Sequence, residues 1–320
     1  MTASPIHYNQ REVGSKQHPT KIARRLLTIL TSSLILFVTV NCRAEVQPVP
    51  GPVASPEGPW REQIHWIPMI DAAGSRHLLQ ARICRPLGDA PSRVVVIAHG
   101  TFPNNRNAVL GHCGAEAPRW FLDRGFIVVM ALRRGYGATG GDWAEGIYHR
   151  PGDDYALAGL ETARDIAATV DYGTALPFAR PQAAVVIGHS GGGWGAMAYN
   201  SVPHPHVTAL ISMAGGRGQS ITKEGGLAGI WRPDLLTDAA GRFGRSATTP
   251  MLWVFSQNDR YLDPAVAATL YDAFARSGGK AEFEEVGPYG NDGHRLFFGA
   301  GGSQIWGPLV ANYLARQPAQ

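Results

Sequence analysis

From residue 61 onward the chain alternates between two hydrophobic rhythms. Gln63–Ile70 and His77–Arg85 read as an antiparallel opening pair, parted by the turn Asp71-Ala72-Ala73-Gly74. Five later runs are apolar without interruption or nearly so: Arg93–Ala98, Phe126–Ala131, Ala183–Ile187, Val207–Met213 and Met251–Phe255; Lys280–Val286 reads as a further strand. Their β-branched content and flanking turns predict strands. Between them fall helical patterns at Ala117–Arg124, Asp153–Thr169, Pro264–Ala275 and Gln304–Ala315, with another helix starting after Ser190. In the second, Tyr155, Leu157, Leu160, Ala163, Ile166 and Ala167 recur on one face. In the third, Pro264 suits a first turn. Strands apolar on both faces, alternating with helices, imply an α/β fold with a mainly parallel sheet covered on both sides.

Two stretches break the rhythm. Residues 45–60, rich in Pro and Gly, read as a linker, leaving 61–320 as one domain. Residues 215–249, glycine-rich around Trp231-Arg232-Pro233-Asp234, are too long for an ordinary connection. They predict a small lid over the sheet with one short helix.

The first 44 residues belong to a different category. Lys21, Arg24 and Arg25 precede the apolar run Leu26–Val40, followed by Asn41-Cys42-Arg43-Ala44. Basic residues, about 15 apolar positions and a small residue describe a secretory signal peptide, cleaved after Ala44. The run is short for a membrane span of about 20 residues, although an uncleaved anchor and a lipidated Cys42 remain as alternatives. The expectation is a secreted or periplasmic protein with no stable membrane insertion after cleavage. The whole chain has 320 residues and a formal net charge of +4. Taking the leader's six basic residues and one acidic residue from totals of 29 and 25 leaves 23 basic and 24 acidic. The positive balance therefore resides in the leader, and no basic stripe suggests a nucleic-acid partner. Cys84 and Cys113 would remain in an oxidising compartment. Spacing alone leaves both a bridge and two separate thiols open, and gives no zinc pattern.

The chemistry-bearing segment is Gly188-His189-Ser190-Gly191-Gly192, a G-x-S-x-G motif between an expected strand and an expected helix. In that context the serine sits on a sharp turn, with its hydroxyl exposed at a helix N-terminus. A serine hydroxyl needs a base to become a nucleophile. His204, His206 and His294 are the histidines after Ser190. His204 and His206 precede a strand at the far edge and read as surface residues. His294, after the last strand, opens on the same end as the serine. The acid should follow the strand Met251–Phe255. Asp259 fits, with Asp263 better placed as the N-cap before Pro264 and Asp292 as a second choice. An oxyanion site needs two backbone donors: Gly191, and Thr101 or Phe102 from the loop after Arg93–Ala98. His99 reads as structural. Phe102, Trp143, Tyr148, Trp194, Trp231 and Tyr261 fall in or near loops at this end and could line an apolar pocket. No metal or organic cofactor is indicated.

The His99-Gly100-Thr101 turn, Arg134-Gly135-Tyr136-Gly137, the GHSGGG segment, the NDRYLD loop and the GHRLF segment together resemble the α/β-hydrolases. The likeness is closest to dienelactone-hydrolase-like and related exported esterases, over roughly residues 60–318. The dienelactone hydrolases proper carry a cysteine nucleophile, where this chain has Ser190. The resemblance implies a small-molecule ester substrate cleaved through Ser190, His294 and Asp259. A prolyl-oligopeptidase-like peptidase shares the motif and the order serine, acid, histidine, but usually carries an extra domain. A non-catalytic binding protein on the same scaffold would normally have lost one of the three residues.

Overall fold

A computed structural model describes residues 48–102, 105–146, 155–221 and 227–317. The expected leader, Tyr148 and the start of the Asp153 helix lie outside them. Eleven strands and six α-helices occur among the described residues. The chain opens with β1 (Gly51–Pro52), β2 (Gln63–Ile70) and β3 (Arg76–Cys84). It continues with β4 (Val94–Ala98), α1 (Glu116–Leu122), β5 (Ile127–Ala131), α2 (Tyr155–Thr174), β6 (Ala184–His189) and α3 (Gly191–Asn200). Then come β7 (Val207–Met213), the hairpin β8 (Gln219–Ile221) and β9 (Leu227–Ile230), and α4 (Pro233–Ser246). The last elements are β10 (Met251–Ser256), α5 (Pro264–Arg276), β11 (Ala281–Val286) and α6 (Ser303–Ala315).

Nine strands form one sheet in the order β1-β2-β3-β5-β4-β6-β7-β10-β11. The three β1–β2, β2–β3 and β3–β5 pairings are antiparallel, and from β5 to β11 the strands run parallel. The side-chain period of two sends alternate residues of each central strand into different cores. Val94, Val96 and Ala98 of β4 join Ala184 and Val186 of β6 under α2 to α5. Val95 and Ile97, with Val185 and Ile187, meet α1 and α6 through Trp120, Phe121, Trp306 and Tyr313. Uninterrupted apolar strands are the sequence record of this double coverage.

Two elements differ from expectation. Helix α2 continues through Val170 to Thr174, although β-branched and glycine residues there are weak helix formers. Val170 is fully buried, and a Cβ at Gly173 would come within 3.2 Å of Val94 and 3.3 Å of Val129. Packing against the sheet thus overrides local propensity. The 215–249 segment is only in part an addition over the sheet. Its second half is the 14-residue α4, whose Leu236, Ala239, Ala240 and Phe243 belong to the main core. Gly244 lets α4 lie against the Phe274 backbone of α5, where a Cβ would overlap the carbonyl. The glycines that look like loop residues in the sequence serve a close helix crossing.

The Cys84–Cys113 pair is bonded, joining the end of β3 to the loop before α1. No helix among the described residues is long and apolar enough to cross a membrane.

Candidate active site

Every residue expected to carry chemistry lies beyond the carboxyl end of a parallel strand, where open α/β sheets place their ligand sites. Strand β6 delivers Ser190 at φ 54°, ψ −120°. That conformation is costly for a side-chain-bearing residue and is held by the turn from strand to helix. The flanking glycines make the turn passable. A Cβ at Gly188 would collide with the Gly192 backbone, and one at Gly192 with the carbonyls of Ala98 and His99. Ser190 N–H donates to the Met213 carbonyl (3.0 Å), and its own carbonyl accepts from Trp194 N–H (2.9 Å).

Asp259 and His294, 35 residues apart, meet at the neighbouring strand ends. Both carboxylate oxygens lie within reach of His294 Nδ1, at 3.0 Å and 2.9 Å. Asp259 Oδ1 also accepts from the N–H groups of Tyr261 (2.8 Å) and Leu262 (2.9 Å), which fixes the carboxylate plane. With Nδ1–H directed at the acid, Nε2 is left as the acceptor. Asp292 serves a different purpose: its Oδ1 accepts from His294 N–H (3.0 Å) and Arg260 N–H (3.2 Å) and shapes the turn. Asn258 ties the two loops together. Its side chain accepts from Tyr289 N–H and donates to the Gly290 carbonyl, and its own carbonyl accepts from Gly293 N–H.

Opposite lies the loop after β4. Thr101 N sits 3.4 Å from the point a Gly191 Cβ would occupy, so the Thr101 backbone lies close beside Gly191. His99 is structural, as its neighbours suggest: Nδ1–H donates to the Gly100 carbonyl (2.7 Å) and Nε2 accepts from Arg133 N–H (3.2 Å). Burial, reinforced by Arg133, pushes its pKa down to about 3. Phe102 packs on His99 and Tyr136.

Ser190, His294 and Thr101 line one cavity of about 920 Å³. Phe102, Trp143, Trp231 and Tyr261 are in its wall. Trp194 is not. It is fully buried under the elbow, packed on Phe243, with its indole N–H donating to the Tyr155 carbonyl (2.9 Å). Its position one helical turn past the serine turns it into the core rather than toward the cavity. His204 also departs from the surface reading: it is buried, bonded to Thr249 Oγ1 (2.8 Å) and the Val202 carbonyl.

Sequence reasoning passed over three contributors. His189 donates through Nε2 to the His294 carbonyl (2.7 Å), with the two rings 4.8 Å apart. Burial first, and then His294, pushes the His189 pKa down to about 3. Arg217 and Phe298 also line the cavity. The one available signal was His189's place inside the motif. Among the described residues no cluster of three or more His, Cys, Asp or Glu could hold a metal ion.

Structural comparison decides the fold. The chain superposes on the Pyrococcus horikoshii acylaminoacyl peptidase with a TM-score of 0.59 at 15 % identity, covering 81 % of this chain. The chain has the α/β-hydrolase fold. This hydrolase scaffold is likewise similar to acetyl xylan esterase 1 from Thermoanaerobacterium sp. JW/SL YS485 (TM-score 0.54, 15 % identity, 84 % of this chain and 88 % of that one). It is similar as well to Est1E from Butyrivibrio proteoclasticus, solved with ferulic acid (TM-score 0.52, 16 % identity, 77 % and 98 %). Against the peptidases the α/β-hydrolase domain is a part of a longer protein: it spans 42 % of the acylaminoacyl peptidase and 36 % of a Porphyromonas gingivalis dipeptidyl peptidase 4. Residues 115–212 match the prolyl oligopeptidase family. No curated protein is significantly similar in sequence.

Proposed function

We propose that the chain is a serine hydrolase cleaving a carboxylic ester through an acyl-enzyme. One observation carries the reading: a strained Ser190 and an Asp259-oriented His294 open on the same cavity. Ser190 Oγ attacks the ester carbonyl as His294 Nε2 takes its proton. The Thr101 and Gly191 N–H groups hold the resulting oxyanion. His294 then passes the proton to the departing alcohol, and water repeats the sequence to release the acid. Asp259 holds the tautomer and stabilises the imidazolium without taking the proton.

The share of chain length covered supports an ester substrate, since the esterases are matched over nearly their whole length and the peptidases over less than half. The match at residues 115–212 favours peptide-bond cleavage as the second reading. Export to an oxidising compartment is supported by the bonded Cys84–Cys113 pair and by the basic–apolar leader before residue 45. The test is a fluorophosphonate probe with purified protein. Labelling of Ser190, lost in Ser190→Ala, together with turnover of short p-nitrophenyl esters, is the expected result. Cleavage of peptide amides without ester turnover would select the peptidase, and a well-folded protein that takes no label would overturn the hydrolase reading.

A further inference from the structure

A buried charge network reaches the cavity wall and takes no part in the steps above. Glu145 lies between two guanidiniums. Arg133 donates to it through Nε (2.5 Å) and Nη2 (3.0 Å), and Arg217 through Nη1 (3.2 Å). Arg217 Nη2 also donates to the Glu145 carbonyl (2.6 Å). Tyr136 and Thr162 hydroxyls complete the carboxylate's partners. Burial works to raise the Glu145 pKa, but Arg133 and Arg217 overcome it and hold the group well below the usual carboxylate range. Further out, Arg134 pairs with Asp165 (2.7 Å) and Glu161 (2.8 Å).

The charges alternate, and the order has a direction. Arg217 stands at the cavity wall, and at the other end Glu161 also meets the exposed Arg164 (3.4 Å). The three arginines and three carboxylates balance overall, but Arg134 holds two carboxylates while Arg133 and Arg217 share one, so the cationic charge is concentrated at the cavity end. That end borders the nucleophile turn. Arg217 is 7 % exposed, and Nη1 comes within 3.3 Å of the point a Gly191 Cβ would fill. Thr101 N (3.4 Å) and Thr101 Oγ1 (2.5 Å) converge on the same point. Arg133 donates to the His99 carbonyl (2.5 Å) and so anchors the root of the loop that carries Thr101.

We infer that Arg217 is a catalytic residue, supplying a cationic third element to the oxyanion site of Thr101 and Gly191. The inference rests on the serine-hydrolase reading of the cavity. A neutral carbonyl gains little from this charge, whereas the tetrahedral oxyanion gains much, so the effect belongs to the transition state. Glu145 holds the guanidinium in place and, by sharing its charge with Arg133, leaves Arg217 undercompensated toward the cavity.

The test uses the full chain as wild type, Arg217→Gln, Arg217→Lys and Glu145→Gln. It measures kcat and KM on neutral p-nitrophenyl esters, inhibition by an alkyl trifluoromethyl ketone that forms an anionic adduct with the serine, and thermal stability. Arg217→Gln is expected to lower kcat about 100-fold, the order found for loss of one oxyanion donor. KM should stay within about threefold and the ketone inhibition constant should rise in parallel. Arg217→Lys should recover part of both. Glu145→Gln keeps the cation but loosens its hold, so it should lose stability and part of the ketone affinity, less than Arg217→Gln loses. Three outcomes overturn the inference: kcat near wild type in Arg217→Gln, a loss that falls on KM rather than on kcat, or a ketone affinity in the Arg217 variants equal to that of the wild type. Should Arg217→Gln not fold, Arg217→Lys decides: its kcat and ketone affinity should both lie below wild type with KM little changed, and wild-type values of both overturn the inference. Fluorophosphonate labelling of the wild type separates the two readings: an unlabelled wild type defeats the hydrolase assignment, whereas a labelled wild type with an indifferent Arg217 defeats this inference alone.

Discussion

Replacing His189 by glutamine should change how stability depends on pH. The ring lies between the nucleophile turn and the base loop, with Nε2–H on the His294 carbonyl. Gln keeps a donor for that carbonyl but cannot titrate. In the native protein burial and the neighbouring His294 hold His189 neutral down to about pH 3, whereas the unfolded chain takes up the proton near 6.5. As pH falls below 6.5 the unfolded state binds the proton and the folded state does not, so stability is lost progressively until about pH 3. Between pH 7 and 5 the difference amounts to about 2 kcal/mol, at 1.36 kcal/mol per pH unit. The ring is half-buried and its edge borders the cavity. Water there lowers the figure to roughly 1–2 kcal/mol. The assay is urea unfolding of wild type and His189→Gln at both pH values, followed by tryptophan fluorescence. Whatever the variant costs at pH 7, the gap should narrow by that amount at pH 5, and titrating groups remote from His189 cancel in the comparison. A gap that stays constant or widens refutes the reasoning.

Asp259→Asn should keep the fold but present the wrong tautomer of His294, lowering kcat by about 10⁴-fold with little change in KM, as read from steady-state ester hydrolysis. Removing the Cys84–Cys113 bond by the double change Cys84→Ser and Cys113→Ser frees a loop spanning 29 residues of separation. The chain-entropy relation gives a loss of roughly 3–4 kcal/mol, visible as a lower urea midpoint for the double variant than for the oxidised wild type.

The sequence was most informative where one physical requirement dominates. Double burial makes β4, β6, β7 and β10 continuous apolar runs, and their limits were readable to within two residues. The serine turn was readable because its steric demand selects glycines on both sides. Asp259 and His294 followed from chain order, and the structure places them in hydrogen-bond contact. Helix α4 was obscured because Gly241 and Gly244 answer to α5, a neighbour that no local window contains. Trp194 was misjudged because adjacency to the motif says nothing about which side of a helix faces the cavity. Arg217 was invisible because its partners Glu145 and Gly191 stand 72 and 26 residues away, and only tertiary contact assembles them.

The Asn258 knot has a consequence for how such a molecule can be remodelled. Acid and base loops are fastened to each other through Asn258, and the β8–β9 hairpin comes from a separate stretch of chain. A designer could therefore graft other hairpins between Gly218 and Trp231, varying which molecules are admitted while the proton-handling half stays in register. Selectivity and reactivity would then be adjustable on separate dials.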